Sequence, residues 1–141
     1  MTPLWLPRRR LVLTGLALVS APPVAVALPA DVARLVEALT GGKAQPGRVK
    51  LELPLLVENG NAVGMTVTGP PGTRSIHVFA ERNPNPEVIV AQFGPASAAP
   101  KLSTRIRLAT SQVVLAVAAC DDGTFWTDSV DLIVTLAACL E

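Results

Sequence analysis

The chain of 141 residues contains no tyrosine, one histidine, two cysteines and few aromatic side chains, 4% in all. Each scarcity removes a class of chemistry. A blue-copper centre needs two histidines and a cysteine with a weak axial ligand, and His77 is the only histidine. A hydrolase needs a nucleophile, a base and an orienting group. Pairing His77 with Cys139 would require a frayed chain end to hold a triad within tenths of an ångström. His77 lies in an alternating segment and reads as a structural residue. The two cysteines, Cys120 and Cys139, form no CxxC or other paired spacing for zinc or iron–sulfur. Asp121 and Asp122 precede a glycine and read as turn residues, with too few oxygens nearby for calcium. The expectation is a protein that is not an enzyme and has no cofactor or metal.

Charge is also scarce, at 16% of residues with a net of +1. That sum is dominated by Arg8-Arg9-Arg10, which precede an apolar run from Leu11 to Val19. Ala25-Val26-Ala27 then supplies the small-x-small pattern of a signal-peptidase site, so residues 1–27 read as an export signal. The run is too short to span a bilayer of ~30 Å, which argues against stable membrane insertion. Arg8-Arg9-Arg10-Leu11-Val12 fits the twin-arginine pattern, and an ordinary Sec signal is compatible as well. Cleavage after Ala27 would remove three of twelve basic residues and none of eleven acidic ones. The exported remainder would be slightly acidic, which excludes nucleic acid as a partner on charge grounds. The expected location is the periplasm.

What remains is one domain's worth of chain. Residues 28–42 read as a short amphipathic helix, with Val32, Leu35, Val36 and Leu39 on one face. Gly41-Gly42 supplies its stop signal. Residues 43–135 then alternate. Val49, Leu51 and Leu53 form a half-buried strand, and Leu55-Leu56-Val57 leads to the turn signal Glu58-Asn59-Gly60-Asn61. Further strands are expected around Val63–Val67, Ile76–Ala80, Val88–Phe93, Leu102–Leu108, Gln112–Ala119 and Phe125–Thr135. About seven strands at short spacing after a single helix predict an all-β, immunoglobulin-like antiparallel sandwich. Arg105 and Arg107 share one strand face, which is most often solvated and less often a docking patch.

Residues 136–141 read as a flexible carboxyl-terminal arm carrying Cys139. Two cysteines in an oxidising compartment ordinarily suggest a disulfide. If Asp121–Thr124 turns a tight hairpin, however, Cys120 lies opposite Phe125 and Thr135 lies roughly 33 Å further along, at ~3.3 Å per residue. Four residues of tail span at most ~14 Å, and a disulfide needs its Cα atoms within ~7 Å. Cys120 therefore reads as a semi-buried residue beside a turn, and Cys139 as free or joined to another molecule. Glu141 and the terminal carboxylate disfavour its thiolate, so a partner would have to activate it.

The ordered set Ala38-Leu39-Thr40-Gly41-Gly42, Leu53-Pro54, Glu58-Asn59-Gly60-Asn61, His77–Pro86, Ser103–Ala109, Ser111-Gln112 and Asp122–Trp126 resembles the SoxY family. SoxY is the sulfur-carrier subunit of the periplasmic Sox thiosulfate-oxidation system. The resemblance implies a heterodimer with a SoxZ-like subunit. It also implies a covalent sulfur cargo on the carboxyl-terminal cysteine, here Cys139, served by SoxXA-, SoxB- and SoxCD-like enzymes. The family's tail is Gly-Gly-Cys-Gly-Gly, whereas this chain has Ala137-Ala138-Cys139-Leu140-Glu141. Alanine keeps the arm slim but restricts its backbone. The alternative is a periplasmic immunoglobulin-like binding or assembly module whose tail cysteine forms intermolecular disulfides. A reducible homodimer without sulfur adducts would distinguish it.

Overall fold

Side-chain alternation decides the layers. In Val63–Thr68 the side chains of Val63, Met65 and Val67 are buried while their neighbours face outward, the period of two that puts one face of a strand on a core. The computed structural model describes residues 29–135, and these form one helix and nine strands. The helix is α1 (Ala30–Thr40). The strands are β1 (Ala44–Pro46), β2 (Lys50–Glu52), β3 (Leu56–Val57), β4 (Val63–Thr68), β5 (Thr73–Ala80), β6 (Glu87–Gln92), β7 (Lys101–Ile106), β8 (Gln112–Cys120) and β9 (Phe125–Val134). They build two sheets, one ordered β1-β9-β8-β5-β6 with β3 also on β9, the other β2-β4-β7.

Between the sheets lies the main core, in which Val63, Met65 and Val67 meet Ile76, Val78, Val114, Ala116 and Leu132. β8 is buried along nearly its whole length because it is covered twice. One face meets the small sheet, and on the other Leu115 and Val117 join Phe79 and Val32 beneath α1. The all-β, immunoglobulin-like sandwich expected from the sequence is the observed architecture.

Three details differ from the expectation. There are nine strands rather than about seven, because β1 and β3 pair parallel with β9, Ala44 opposite Phe125 and Leu56 opposite Ile133. Strands of two and three residues carry no readable period, and their partner lies some eighty residues away. Leu35 is exposed. Val32, Val36 and Leu39 suffice to cover Phe79, Leu115 and Val117, which leaves Leu35 at the stripe's edge, facing Pro84 and Pro86. In the β8–β9 hairpin Ala119, not Cys120, lies opposite Phe125.

The helix ends where glycine allows it. Gly41 adopts φ 60° and donates its N–H to Glu37 O at 2.7 Å, a left-handed cap that costs glycine little. Arg48 also adopts a left-handed φ, 57°, with its guanidinium 5.0 Å from the centre of the Trp126 ring.

Candidate functional site at the end of the last strand

Cys139 and the rest of residues 136–141 lie outside the described residues, as does the export signal over residues 1–27. What is described is the anchor from which the cysteine-bearing segment leaves. The last residues of β9 and Thr135 are held one by one. Ile133 N–H donates to Leu55 O at 2.9 Å, and Thr135 N–H donates to Val57 O at 2.8 Å. Val134 faces the other way, where no strand is available, and Ser111 takes a strand's place. Its hydroxyl accepts the Val134 N–H at 2.9 Å and donates to the Val134 carbonyl at 3.4 Å.

Ser111 is itself fixed by a polar network. Asn83 donates through Nδ2 to Arg107 O at 2.8 Å and accepts the Ala109 N–H at 3.0 Å. Gln112 is buried and spans the same turn. Its Nε2 donates to Asn83 Oδ1 and Thr110 O, and its Oε1 accepts the Arg82 N–H at 2.9 Å. The connection from β7 to β8 is therefore bolted to the Asn83-Pro84-Asn85-Pro86 turn, and through Ser111 to the end of β9.

A second loop completes the anchor. Asn59 Oδ1 accepts the Asn61 N–H at 3.0 Å, a side-chain turn that shapes Glu58–Asn61. Gly60 O accepts the Leu108 N–H at 2.7 Å. A Cβ on Gly60 would run into the Leu108 carbonyl and the Val134 side chain, so only glycine permits this approach. A shallow groove of about 420 Å³, lined among others by Asn59, Asn61, Arg107 and Thr135, opens beside the exit. Leu55, Leu56 and Ile133, the last opposite Leu56 in the β3–β9 pairing, stand 69%, 59% and 58% exposed. Arg105 and Arg107 are exposed, and neither forms an ion pair among the described residues. Sequence reasoning identified the turn at Glu58–Asn61 but missed the Asn83–Gln112–Ser111 chain, because those contacts join residues up to 29 positions apart.

Cys120 lies at the opposite end of β9. It is 5% exposed, more buried than the semi-buried position expected for it. It sits under the hairpin turn, with Sγ 3.9 Å from Thr73 Oγ1. The Thr73 hydroxyl is committed to Pro70 O at 2.6 Å. Since Ala119 pairs with Phe125 and Gln112 with Leu132, the length of β9 separates Cys120 from Thr135, roughly 30 Å at ~3.3 Å per residue. Four further residues of chain span at most ~14 Å, so the folded domain cannot bridge Cys120 to Cys139.

His77 donates or accepts on both ring nitrogens, with Nδ1 3.0 Å from Glu87 Oε1 and Nε2 3.3 Å from Ser75 Oγ. Its ring stacks on Phe79. The serine–histidine–carboxylate order is that of a hydrolase relay. Here Ser75 and His77 lie in β5 and Glu87 at the start of β6, and β5 pairs with β6 on one side and β8 on the other. β5 is an interior strand, so its own backbone N–H groups are spent on the two flanking ladders rather than free to hold an oxyanion. At the β8–β9 turn Asp122 Oδ1 accepts from the Thr124 hydroxyl and N–H. Those bonds, with Arg48 nearby, hold its carboxyl below the usual range. This is turn chemistry, and no group of three or more histidine, cysteine or acidic residues that could hold a metal occurs among the described residues.

The family model for the sulfur oxidation protein SoxY matches residues 36–139, most of the chain and up to Cys139 itself. The chain belongs to the SoxY family. Among solved structures, the sulfur carrier protein SoxY from Chlorobium limicola f thiosulfatophilum superposes with a TM-score of 0.65 at 25% identity, covering 74% of this chain and 96% of that one. A superoxide reductase (neelaredoxin) from Ignicoccus hospitalis, in a singly substituted form, gives 0.59 at 20% identity, over 67% and 97%. A putative superoxide reductase from Thermotoga maritima gives 0.55 at 20% identity, over 67% and 96%. The two reductase likenesses show the fold alone. No curated protein matches the sequence significantly. Membership makes this a sulfur-oxidation protein that works with partner Sox proteins. No described helix is long and apolar enough to cross a membrane.

Proposed function

We propose that this SoxY-family protein carries sulfur covalently on Cys139 in the periplasm while partner enzymes change the cargo. The observation that supports this reading best is the clamped end of β9. Ile133, Val134 and Thr135 are each tied by backbone hydrogen bonds, and Cys139 follows Thr135 by four residues. Such an anchor gives a thiol up to ~14 Å of reach from a fixed point. Residues 1–27 act as the export signal, residues 28–42 hold the helix, residues 43–135 form the carrier domain and residues 136–141 bear the thiol.

Loading joins thiosulfate to the thiol by an S–S bond. The Cys139 proton is released and two electrons pass to a SoxXA-like oxidant, leaving a cysteine S-thiosulfonate. A SoxB-like hydrolase adds water to the terminal sulfonate, releasing sulfate and leaving a persulfide on Cys139. SoxCD-like chemistry then oxidises the remaining sulfane sulfur. The domain supplies no catalytic group to these steps. It presents the cargo, in company with a SoxZ-like subunit, and requires no cofactor of its own.

Intact-mass spectrometry of protein from its native compartment, before and after reduction, tests the reading. The expected result is a reductant-labile thiosulfonate or sulfane mass on the carboxyl-terminal peptide, absent from Cys139→Ser. An unmodified thiol, or a disulfide-linked dimer through Cys139, would overturn it.

A further inference from the structure

Beside the exit at Thr135 the described surface gathers hydrogen-bond donors that have no partner of their own. Arg107, Asn59 and Asn61 line the groove of about 420 Å³ together with Thr135, and Glu58 is the one acid among its described lining residues. Asn59 spends its side-chain oxygen on the Asn61 N–H at 3.0 Å, so what it offers the groove is its amide donors. Arg107 can only donate, and it forms no ion pair among the described residues. It also borders the neighbouring groove that contains Glu87, but that carboxylate is engaged by His77 at 3.0 Å.

These donors stand on fixed backbone. Asn83 Nδ2 donates to Arg107 O at 2.8 Å, and the next residue, Leu108, gives its N–H to Gly60 O at 2.7 Å. The arginine is thus held from two separate loops. Groups placed before a ligand arrives lose little freedom when it binds. A guanidinium fork suits an oxyanion with several equivalent oxygens. Cys139 follows Thr135 by four residues, at most ~14 Å of chain, so an anion carried on that thiol comes within reach of Arg107.

We propose that this groove binds the terminal sulfonate of the thiosulfate adduct on Cys139, with Arg107 as the main binding residue and the Asn59 and Asn61 amides beside it. The inference rests on the carrier reading and gives the arm a docked state that depends on its cargo. A sulfonate offers three oxygens and a full negative charge to these donors. Hydrolytic release of sulfate removes all three oxygens, and the sulfur left behind is a weak acceptor, so the arm leaves the groove at that step. An exposed arginine gains only modest energy from one anion, which keeps the docked arm available to partner enzymes. Glu58 opposes the anion and weakens docking further.

The test loads the full, isotope-labelled chain with tetrathionate. The Cys139 thiolate, its proton lost to buffer, attacks a central sulfur. Thiosulfate departs with the electron pair of the broken S–S bond, and the cysteine keeps the S-thiosulfonate. In NMR spectra the Arg107 side-chain N–H and the Asn59 and Asn61 side-chain amides should then shift, and a neutral iodoacetamide cap should leave them in place. Arg107→Gln should abolish the loading-dependent shifts at both asparagines. Equimolar free thiosulfate on Cys139→Ser should move nothing, because only the tether raises the effective concentration.

The ratio of Cys139 reaction rates with tetrathionate and with iodoacetamide gives a second readout. At low salt it should fall about two- to fivefold in Arg107→Gln, the loss of one charge near a dianion. It should rise in Glu58→Gln and change less in Arg105→Gln, since Arg105 does not line the groove. Absent shifts in the loaded chain, equal shifts with the neutral cap or with free thiosulfate, or equal falls for the two arginines overturn the inference. Because loading here is chemical, such a failure leaves the carrier reading standing, and mass spectrometry of native protein decides that reading separately. Circular dichroism on each variant establishes that the sheets are intact.

Discussion

The Ser111 hydroxyl stands 2.9 Å from the Val134 nitrogen and 3.4 Å from its carbonyl oxygen, so one side chain serves as the missing strand beside the end of β9. Replacing it by alanine leaves both groups of Val134 to water. Ser111→Ala is expected to cost about 0.5–1.5 kcal/mol, the usual net value of such a bond. Amide exchange should accelerate at Val134 and Thr135 and remain slow in the centre of β8. Urea denaturation with residue-resolved exchange would measure both.

Gly60→Ala is expected to destabilise more. The added methyl meets the Leu108 carbonyl and a Val134 methyl group, and the loop also holds the Leu108 N–H. Overpacking of this kind costs about 1–3 kcal/mol. An unchanged midpoint of urea unfolding would show that the loop can retreat from Leu108 at no cost.

The two cysteines are expected to differ in access. Cys120 is 5% exposed beneath the hairpin and should resist a thiol reagent until the domain unfolds. Native protein should therefore titrate with one equivalent, assigned to Cys139 by peptide mapping, and denatured protein with two. Cys120→Ala should retain sulfur loading, whereas Cys139→Ser should lose it entirely.

Asp122 is expected to contribute a small acid-sensitive component of stability. Hydrogen bonds from Thr124, and then the nearby Arg48 charge, lower its folded pKa. A depressed carboxylate stabilises the fold above its unfolded value and loses that contribution as pH falls through the folded value. The gap between the parent and Asp122→Asn should therefore narrow below about pH 4. Denaturant midpoints across that range would measure it. A gap constant with pH would place the stabilisation in the turn's geometry rather than in its charge.

Much of the sandwich was legible because its causes are local. Val63, Met65 and Val67 alternate in sequence and are buried in the fold, and the continuous apolar run of β8 is covered on both faces as its composition implies. The same holds for the turns at Glu58–Asn61 and Asp121–Thr124, where short polar side chains bond their own backbone.

Other features belong to the tertiary structure alone. β1 and β3 are strands only because β9 offers them an edge, and two or three residues cannot signal a partner so distant in the chain. Leu35 is exposed because three other positions of its stripe already cover the sheet. Cys120 is buried because the hairpin and Thr73 close over it. The anchor at Val134 exists because Asn83 from one turn meets Ser111 and Gln112 from another. Periodicity records which face of an element is apolar, and so the sequence by itself determined the sandwich and placed a cysteine a few residues beyond its last strand. Which surfaces meet depends on long-range packing and on the pairing of buried polar groups, and that only the folded chain could decide.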